Sequence, residues 1–207
     1  MGEDTHAGNL SLLGGCLCLD FANTVDWRTS AHPREFLNDY ADLLVWSAHA
    51  GILSHEEAWR LRSEAANRPE EAAAIHARAI ALREAIYRIF SRLAAGAPPE
   101  EDDLALLNRE LSAALAKLRV VRNNGEFAWK WDGEGEALDR MLWPVVRSAA
   151  DLLISGDREK VRECAAEGCG WLFVDTSRNR RRKWCAMTGC GNRAKARRYY
   201  QRKRGRS

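Results

Sequence analysis

The sequence of 207 residues predicts a mainly α-helical protein with one small β-hairpin and a separate cysteine-bearing module at its C-terminal end. Three observations carry that expectation. Apolar residues recur at three-and-four spacing through most of residues 38–155, the period of an amphipathic helix. The period drops to two only around Asn124-Gly125. Finally, Cys164, Cys169, Cys185 and Cys190 fall in the pattern C-x4-C-x15-C-x4-C, just before the most basic stretch of the chain.

The elements follow in order. Residues 10–28 are an apolar run ending in polar residues. It suits either a short strand through Leu17 and Leu19 or a helix capped by Asp20. Residues 29–38, with Ser30, His32 and Pro33, read as a loop. Tyr40, Leu43, Leu44 and Ala48 then form a helical stripe with Gly51 as its stop. Ser54-x-x-Glu57 is a capping box for the next helix. Pro69, Glu70 and Glu71 suit a first helical turn, and Ile75, Ala79, Leu82, Ile86, Phe90 and Leu93 continue it as one stripe closed by Gly96. Leu104, Leu107, Leu111, Leu115 and Leu118 stripe the helix that starts after Pro98-Pro99. The hairpin spans 118–132: Asn124-Gly125 supplies a type I′ turn and Phe127, Trp129 and Trp131 share a face. Residues 135–155 return to helix, and Pro144 predicts a kink in it. Residues 157–163 read as a charged connector, which divides the chain into domains 1–156 and 157–207.

Charge divides the chain near the same place. Residues 178–207 hold thirteen Lys or Arg and no acid, so the overall net charge of +3 conceals −10 over residues 1–177. An acidic body with a basic tail predicts different partners for its two parts. Two short-spaced cysteine pairs in a chain of this length predict metal binding in a reducing compartment, the cytoplasm, more readily than a disulfide framework. The start of the chain lacks the basic region of a signal peptide, and no stretch approaches the length of a membrane span, so no membrane partner is expected.

Four thiolates suit one tetrahedral Zn²⁺ with bonds of about 2.3 Å, and four protein ligands leave no position open for chemistry, so the expected role of the metal is structural. Between the pairs, Gly170–Asp175 reads as a strand and Arg182–Cys185 as its return, which gives a treble-clef-like four-cysteine zinc finger whose last ligand begins the basic helix. Arg180, Arg182, Lys183, Arg193, Lys195, Arg197 and Arg198 are the candidates to neutralise phosphates, and Asn192 to pair with a base edge or to cap the helix.

In the body, Asp20, Asn23, Thr24 and Arg28 would share one face of a helix starting near Asp20. That would fix a small polar ligand, with Trp27, Trp46 and Trp59 as walls. The alternative makes Asp20 a cap, Arg28 its ion partner and the tryptophans core. Cys16 and Cys18 read as small buried residues. No Ser-His-Asp set, phosphate loop or paired carboxylates stand out, so no catalytic residue is assigned.

Residues 163–198, with Trp171, Asp175, Asn179, Arg180, Trp184-Cys185, Met187 and Cys190-Gly191-Asn192-Arg193, resemble the CGNR zinc finger. The upstream Leu17–Val25 and Leu43–Trp46 resemble the ABATE domain that commonly precedes it. Members are regarded as stress-induced bacterial transcription regulators. The resemblance implies a DNA-binding finger behind a ligand-sensing domain. Two other readings stay open at this point: an RNA-binding or ribosome-associated protein using the same basic finger, and a small-molecule enzyme whose finger mediates interaction. A lone finger buries little DNA surface, which favours a homodimer.

Overall fold

The computed structural model describes residues 5–133 and 137–204. The expected start of a helix at residues 135 and 136, the first four residues, and Arg206 of the basic tail lie outside the described residues.

Helices dominate. They are α1 (Leu17–Ala22), α2 (Tyr40–His49), α3 (His55–Asn67), α4 (Pro69–Ala94), α5 (Glu101–Leu115), α6 (Leu142–Ile154) and α7 (Asn192–Arg204). Three antiparallel strand pairs join them: β1 (Val25–Asp26) with β2 (Arg34–Glu35), β3 (Leu118–Asn123) with β4 (Glu126–Trp131), and β5 (Val161–Glu163) with β6 (Leu172–Val174). Helix α4 is the axis: α1, α2, α3, α5, α6 and β5 all lie against it. Its buried stripe of Ile75, Ala79, Leu82, Ile86, Ile89 and Phe90 joins Leu19 and Phe21 of α1, Trp46 of α2 and Val145 of α6 in one core.

The local signals formed the elements they specify. Asp39 caps α2 by accepting from the Asp42 amide at 2.8 Å. Ser54 and Glu57 close their capping box, with both reciprocal bonds present. Asn124 (φ 48°) and Gly125 (φ 90°) turn β3 into β4, which places Val120 opposite Trp129 and Leu118 opposite Trp131. Trp131 packs on Trp143 of α6 with ring centroids 5.8 Å apart.

Four expectations need correction. The run at 10–28 became neither a strand at Leu17–Leu19 nor a helix capped by Asp20. Helix α1 starts at Leu17, three residues before Asp20, whose carboxylate turns back to accept from the Gly14 amide at 2.7 Å. The loop at 29–38 contains a two-residue strand, because Arg34 and Glu35 pair with Asp26 and Val25. Pro144 causes no kink: α6 begins at Leu142, so Pro144 falls in the first turn, where a missing N–H costs no intrahelical bond. The charged connector is a 3-10 turn, Gly156–Lys160, followed by strand β5.

Candidate metal centre and nucleic-acid face

Strand β6 joins the two halves of the molecule. Its alternating side chains split between two cores: Leu172 and Val174 enter the helical core, while Trp171 and Phe173 pack with the four cysteines. Its partner is β5, upstream of the first cysteine, with Val161 opposite Val174 and Glu163 opposite Leu172. This corrects the expected hairpin between the cysteine pairs. Residues 182–185 are not a strand; the Lys183 carbonyl makes a single ladder-like bond to the Ala165 amide, at 2.9 Å. Asp175 explains the detour. It is fully buried, and its carboxylate accepts from the Ser177 amide and hydroxyl on one oxygen and from the Arg182 amide on the other. Burial pushes this carboxyl up, but the Ser177 and Arg182 donors outweigh it and hold Asp175 below the usual carboxylate range. The pinned loop swings 178–181 outward before the chain returns to Cys185.

Cys164 follows β5, Cys169 follows a tight turn at Gly168, and Cys190 lies within a π-helical turn, Met187–Gly191, that leads into α7. A Cβ at Gly191 would come within 2.5 Å of Met187 Sδ and would have to push that side chain aside. All four cysteines are buried and their Sγ atoms lie within 4.8 Å of one another. Cys169 and Cys185 are 3.8 Å apart and Cys185 and Cys190 3.6 Å. A tetrahedral four-sulfur zinc centre with bonds of about 2.3 Å has edges of about 3.8 Å, so the cage is positioned for one zinc ion. None of the six cysteines is in a disulfide. The Cys185 amide donates to Cys164 Sγ at 3.4 Å and Arg193 Nη2 to Cys190 Sγ at 3.1 Å, which offsets the negative charge of four thiolates on a dication.

The predicted nucleic-acid residues divide into tethered and exposed. Arg182 is held: it donates to the Trp184 and Cys185 carbonyls and lies 4.4 Å over the Phe173 ring. Arg193 is fixed by Cys190 and by the Trp27 ring, 4.6 Å away. Arg197 pairs with Glu167. Asn192 donates from Nδ2 to the Thr188 carbonyl at 3.2 Å. Arg180, Lys183, Lys195 and Arg198 are exposed. Helix α7 as a whole carries seven Lys or Arg, no acid and no buried residue. Its main backbone support is the π-helical turn, and Tyr199 and Tyr200 are 64% and 63% exposed.

The expected ligand face in the body is arranged differently. Because α1 ends at Ala22, Asn23, Thr24 and Arg28 lie beyond it and cannot share its face with Asp20. Asn23 is buried and forms a two-way bond with Leu172, its Nδ2 donating to the Leu172 carbonyl and its Oδ1 accepting from the Leu172 amide, both at 2.8 Å. Thr24 donates to the Phe21 carbonyl. Arg28 bonds Glu84 through both guanidinium ends, donates to the Ala22 carbonyl and stacks 4.0 Å over Tyr87. Arg83, also buried, binds Glu35 and Glu84. Burial raises the Glu35 and Glu84 carboxyls, but the arginines overcome it and hold both below the ordinary range. Of the three expected walls, Trp46 is core, Trp59 is exposed on α3, and Trp27 lies against the finger. Asp20 is raised to about 6 by burial, against the opposing Gly14 amide.

Sequence reasoning treated Asn23 as a ligand contact and Trp27 as a pocket wall. Their position on the finger left one trace in the sequence: a polar cluster immediately after an apolar run. The seam around them is extensive. The Trp171 indole donates to the Val25 carbonyl at 2.9 Å, the Val174 amide to Gly14, and the Arg28 amide to Cys169.

No curated protein matches the chain significantly. Residues 160–203 match the CGNR zinc finger family, in accord with a cysteine cage positioned for one zinc ion. Neither matching family is described as an enzyme, and no helix among the described residues is long and apolar enough to cross a membrane. Residues 15–156, well over half of the chain, match ABATE, described as "Putative stress-induced transcription regulator", and the chain belongs to that family.

Proposed function

We propose that the protein is a non-enzymatic, cytoplasmic, zinc-containing regulator of transcription that binds DNA through α7. The observation that carries this reading is α7 itself: a cationic helix that follows directly on the π-helical turn holding the last zinc ligand, with no buried residue of its own. Such a helix can enter a major groove without clashing with its own domain. Lys195 and Arg198, both exposed, take phosphates. Asn192 can read a base only by giving up its bond to Thr188.

The test is binding to a selected duplex, random duplexes and an RNA hairpin across several salt concentrations. Arg198→Ala should lower the salt slope by about one unit on every duplex. Arg197→Ala should change it less, because Glu167 already neutralises Arg197. Tighter binding to the RNA hairpin would favour the alternative reading, which the exposed Tyr199–Tyr200 pair supports.

Sensing is the second half of the proposal. Asp20, Asn23, Thr24 and Arg28 each bond within the protein, and Asn23 bonds β6 directly, which supports a role in coupling body to finger. The groove between α2 and α3, about 640 Å³ and lined by Leu44, Val45, Ala48, His49 and Trp59, suits a small apolar effector with a polar end. It connects to the finger through a short path: His49 Nε2 bonds the Leu10 carbonyl, and four residues later Gly14 receives the Val174 amide. A thermal-shift screen of small carboxylic acids on wild type and Trp59→Ala tests the site. Homodimerisation has support in the exposed apolar residues Val120, Phe127 and Trp129 of β3–β4, and sedimentation of wild type and Trp129→Ser checks it.

A further inference from the structure

Trp27 is out of place for a core residue. It belongs to the body, yet its indole is 37% exposed at the finger, and its backbone sits at φ 52°, a region that bulky residues rarely adopt. The fold holds it there. The flanking amides of Arg28 and Thr29 donate to Cys169 and Gly168, and Gly168 packs so closely that a Cβ would come within 2.9 Å of the indole. Backbone strain of this kind, on an aromatic residue left partly exposed, points from structure toward a binding role.

The indole lines a groove of about 480 Å³ between the Ala165–Glu167 loop and α7. Trp184 lines it too, and Lys183, Arg193 and Arg198 supply its positive charge. The Arg193 guanidinium lies over the Trp27 ring, so a cation and an aromatic surface are already stacked before any ligand arrives. The one acid lining the groove, Glu167, pairs with Arg197 across it. Flat aromatic surfaces serve a nucleobase, whose π-face stacks regardless of sequence, and the surrounding cations serve its phosphates. A perfect duplex keeps its bases stacked on each other and cannot use this groove; an unpaired nucleotide can.

We propose that this groove holds one unpaired nucleotide of bound DNA, its base stacked on the Arg193 guanidinium that rests on the Trp27 ring, and its phosphate taken by Lys183 and Arg198. The proposal rests on the DNA-binding reading above and adds to it that the body contributes a residue to the nucleic-acid face. It follows that the protein prefers DNA with an extruded base to a fully paired duplex.

The experiment compares the affinity of the full-length zinc-loaded protein for a matched duplex, the same duplex carrying one extra thymidine on one strand, and the equivalent RNA bulge. Wild type should bind the bulged DNA at least about fivefold more tightly than the matched duplex. Trp27→Ala removes the ring that backs Arg193 and should lose roughly 5- to 150-fold on the bulged DNA, the range of one base-stacking contact, and less than about twofold on the matched duplex. Trp27→Phe should recover most of the loss. A 2-aminopurine at the bulged position should be quenched on binding wild type, a readout independent of whether the variants fold. Equal wild-type affinity for matched and bulged DNA, or an unquenched 2-aminopurine, overturns the proposal and leaves the DNA-binding reading standing. Tighter binding of the RNA bulge overturns the choice of DNA. Binding to none of the three overturns both readings together.

Discussion

Two hairpins of this protein sit at opposite extremes. Strands β3 and β4 are six residues each, joined by the tightest turn available, yet Phe127 and Trp129 on them are 76% and 60% exposed. Strands β5 and β6 are three residues each, separated by a loop carrying two zinc ligands, yet all of β6 is buried. The first hairpin is specified locally, by Asn-Gly and by alternation, and little else depends on it. The second is specified by everything around it: the metal cage on one face, the helical core on the other and Asn23 along its backbone. A short strand with weak local preference survives because three separate sources of energy converge on it, and it transmits any disturbance in one to the others.

Removing the metal should therefore break the comparison most severely. Structural zinc sites couple binding to folding, with apparent binding free energies of about 10–16 kcal/mol in small zinc modules. Cys164→Ser should reduce bound zinc from one per chain to none. Hydrogen exchange should then show lost protection in β5, β6 and also in residues 13–30, which bond directly to the finger, while α4 and α5 stay protected. Retained protection at 13–30 in the zinc-free variant would mean that the seam stands without the cage. The finger would then be an independent module.

Asn23→Ala attacks the same strand from the side away from the zinc. It leaves the buried Leu172 amide and carbonyl without partners. At about 1–3 kcal/mol for each of the two unsatisfied groups, a loss of about 2–6 kcal/mol is expected in urea unfolding, with zinc content unchanged. A shift below about 0.5 kcal/mol would show that water replaces the amide, and would weaken the case for Asn23 as the link between body and finger.

How much of this was legible follows from how local each feature is. The stripes of α4 and α5, the caps of α2 and α3 and the Asn-Gly turn are written within a few residues of where they act. So are the metal ligands, because thiolate pairs around a tetrahedral ion need close spacing within each pair. Strand β5 was hidden among the charges of 157–163, since three residues show too little alternation to register. Pro144 suggested a kink only because the start of α6 could not be located from the stripe alone. Asn23 acts across 149 residues of sequence, and nothing near it announces Leu172 as its partner. The exposed arginines could be counted in the sequence, but which ones are held by Glu167, Cys190 or Phe173 depends on folds of the chain that the count does not contain.

Asp20 gives the comparison a pH dependence. Its carboxyl caps the Gly14 amide, whose carbonyl in turn receives the Val174 amide of β6. Burial raises the group to about 6 in the folded state, against about 3.9 unfolded. The folded state therefore holds this proton more tightly, and the stability it contributes is complete below about pH 4 and lost as pH rises through about 6. Asp20→Asn keeps the acceptor for Gly14 and removes the ionisation. Relative to wild type it should gain up to about 3 kcal/mol at about pH 7 and almost nothing at about pH 4. The acidic side of the profile, set by Glu35 and Glu84 against their arginines, should be common to both proteins, because those carboxyls titrate below their usual range and lose stability as pH falls. Equal stability of the two proteins at both pH values would mean that the ionised carboxylate is already well solvated.

The smallest expected effect lies on the exposed hairpin, and it is the most direct check on the contrast. Phe127 stands opposite Arg122 near the tip of β3–β4 with three quarters of its surface in water. Phe127→Ser removes little buried area and leaves the Asn-Gly turn and the Trp131–Trp143 contact in place, so unfolding should shift by no more than about 0.5 kcal/mol. Phe173, beside the cysteines and fully buried, should cost about 3–5 kcal/mol when cut to alanine. The ratio of the two effects measures how unequally the two hairpins are built. If Phe127→Ser destabilises the isolated monomer by more than about 1.5 kcal/mol, the hairpin is held by something other than its own turn, and its aromatic face is covered in solution. If it costs nothing at low protein concentration but lowers stability as concentration rises, the cover is a second copy of the chain, and the face that looks idle in one protomer is the contact between two.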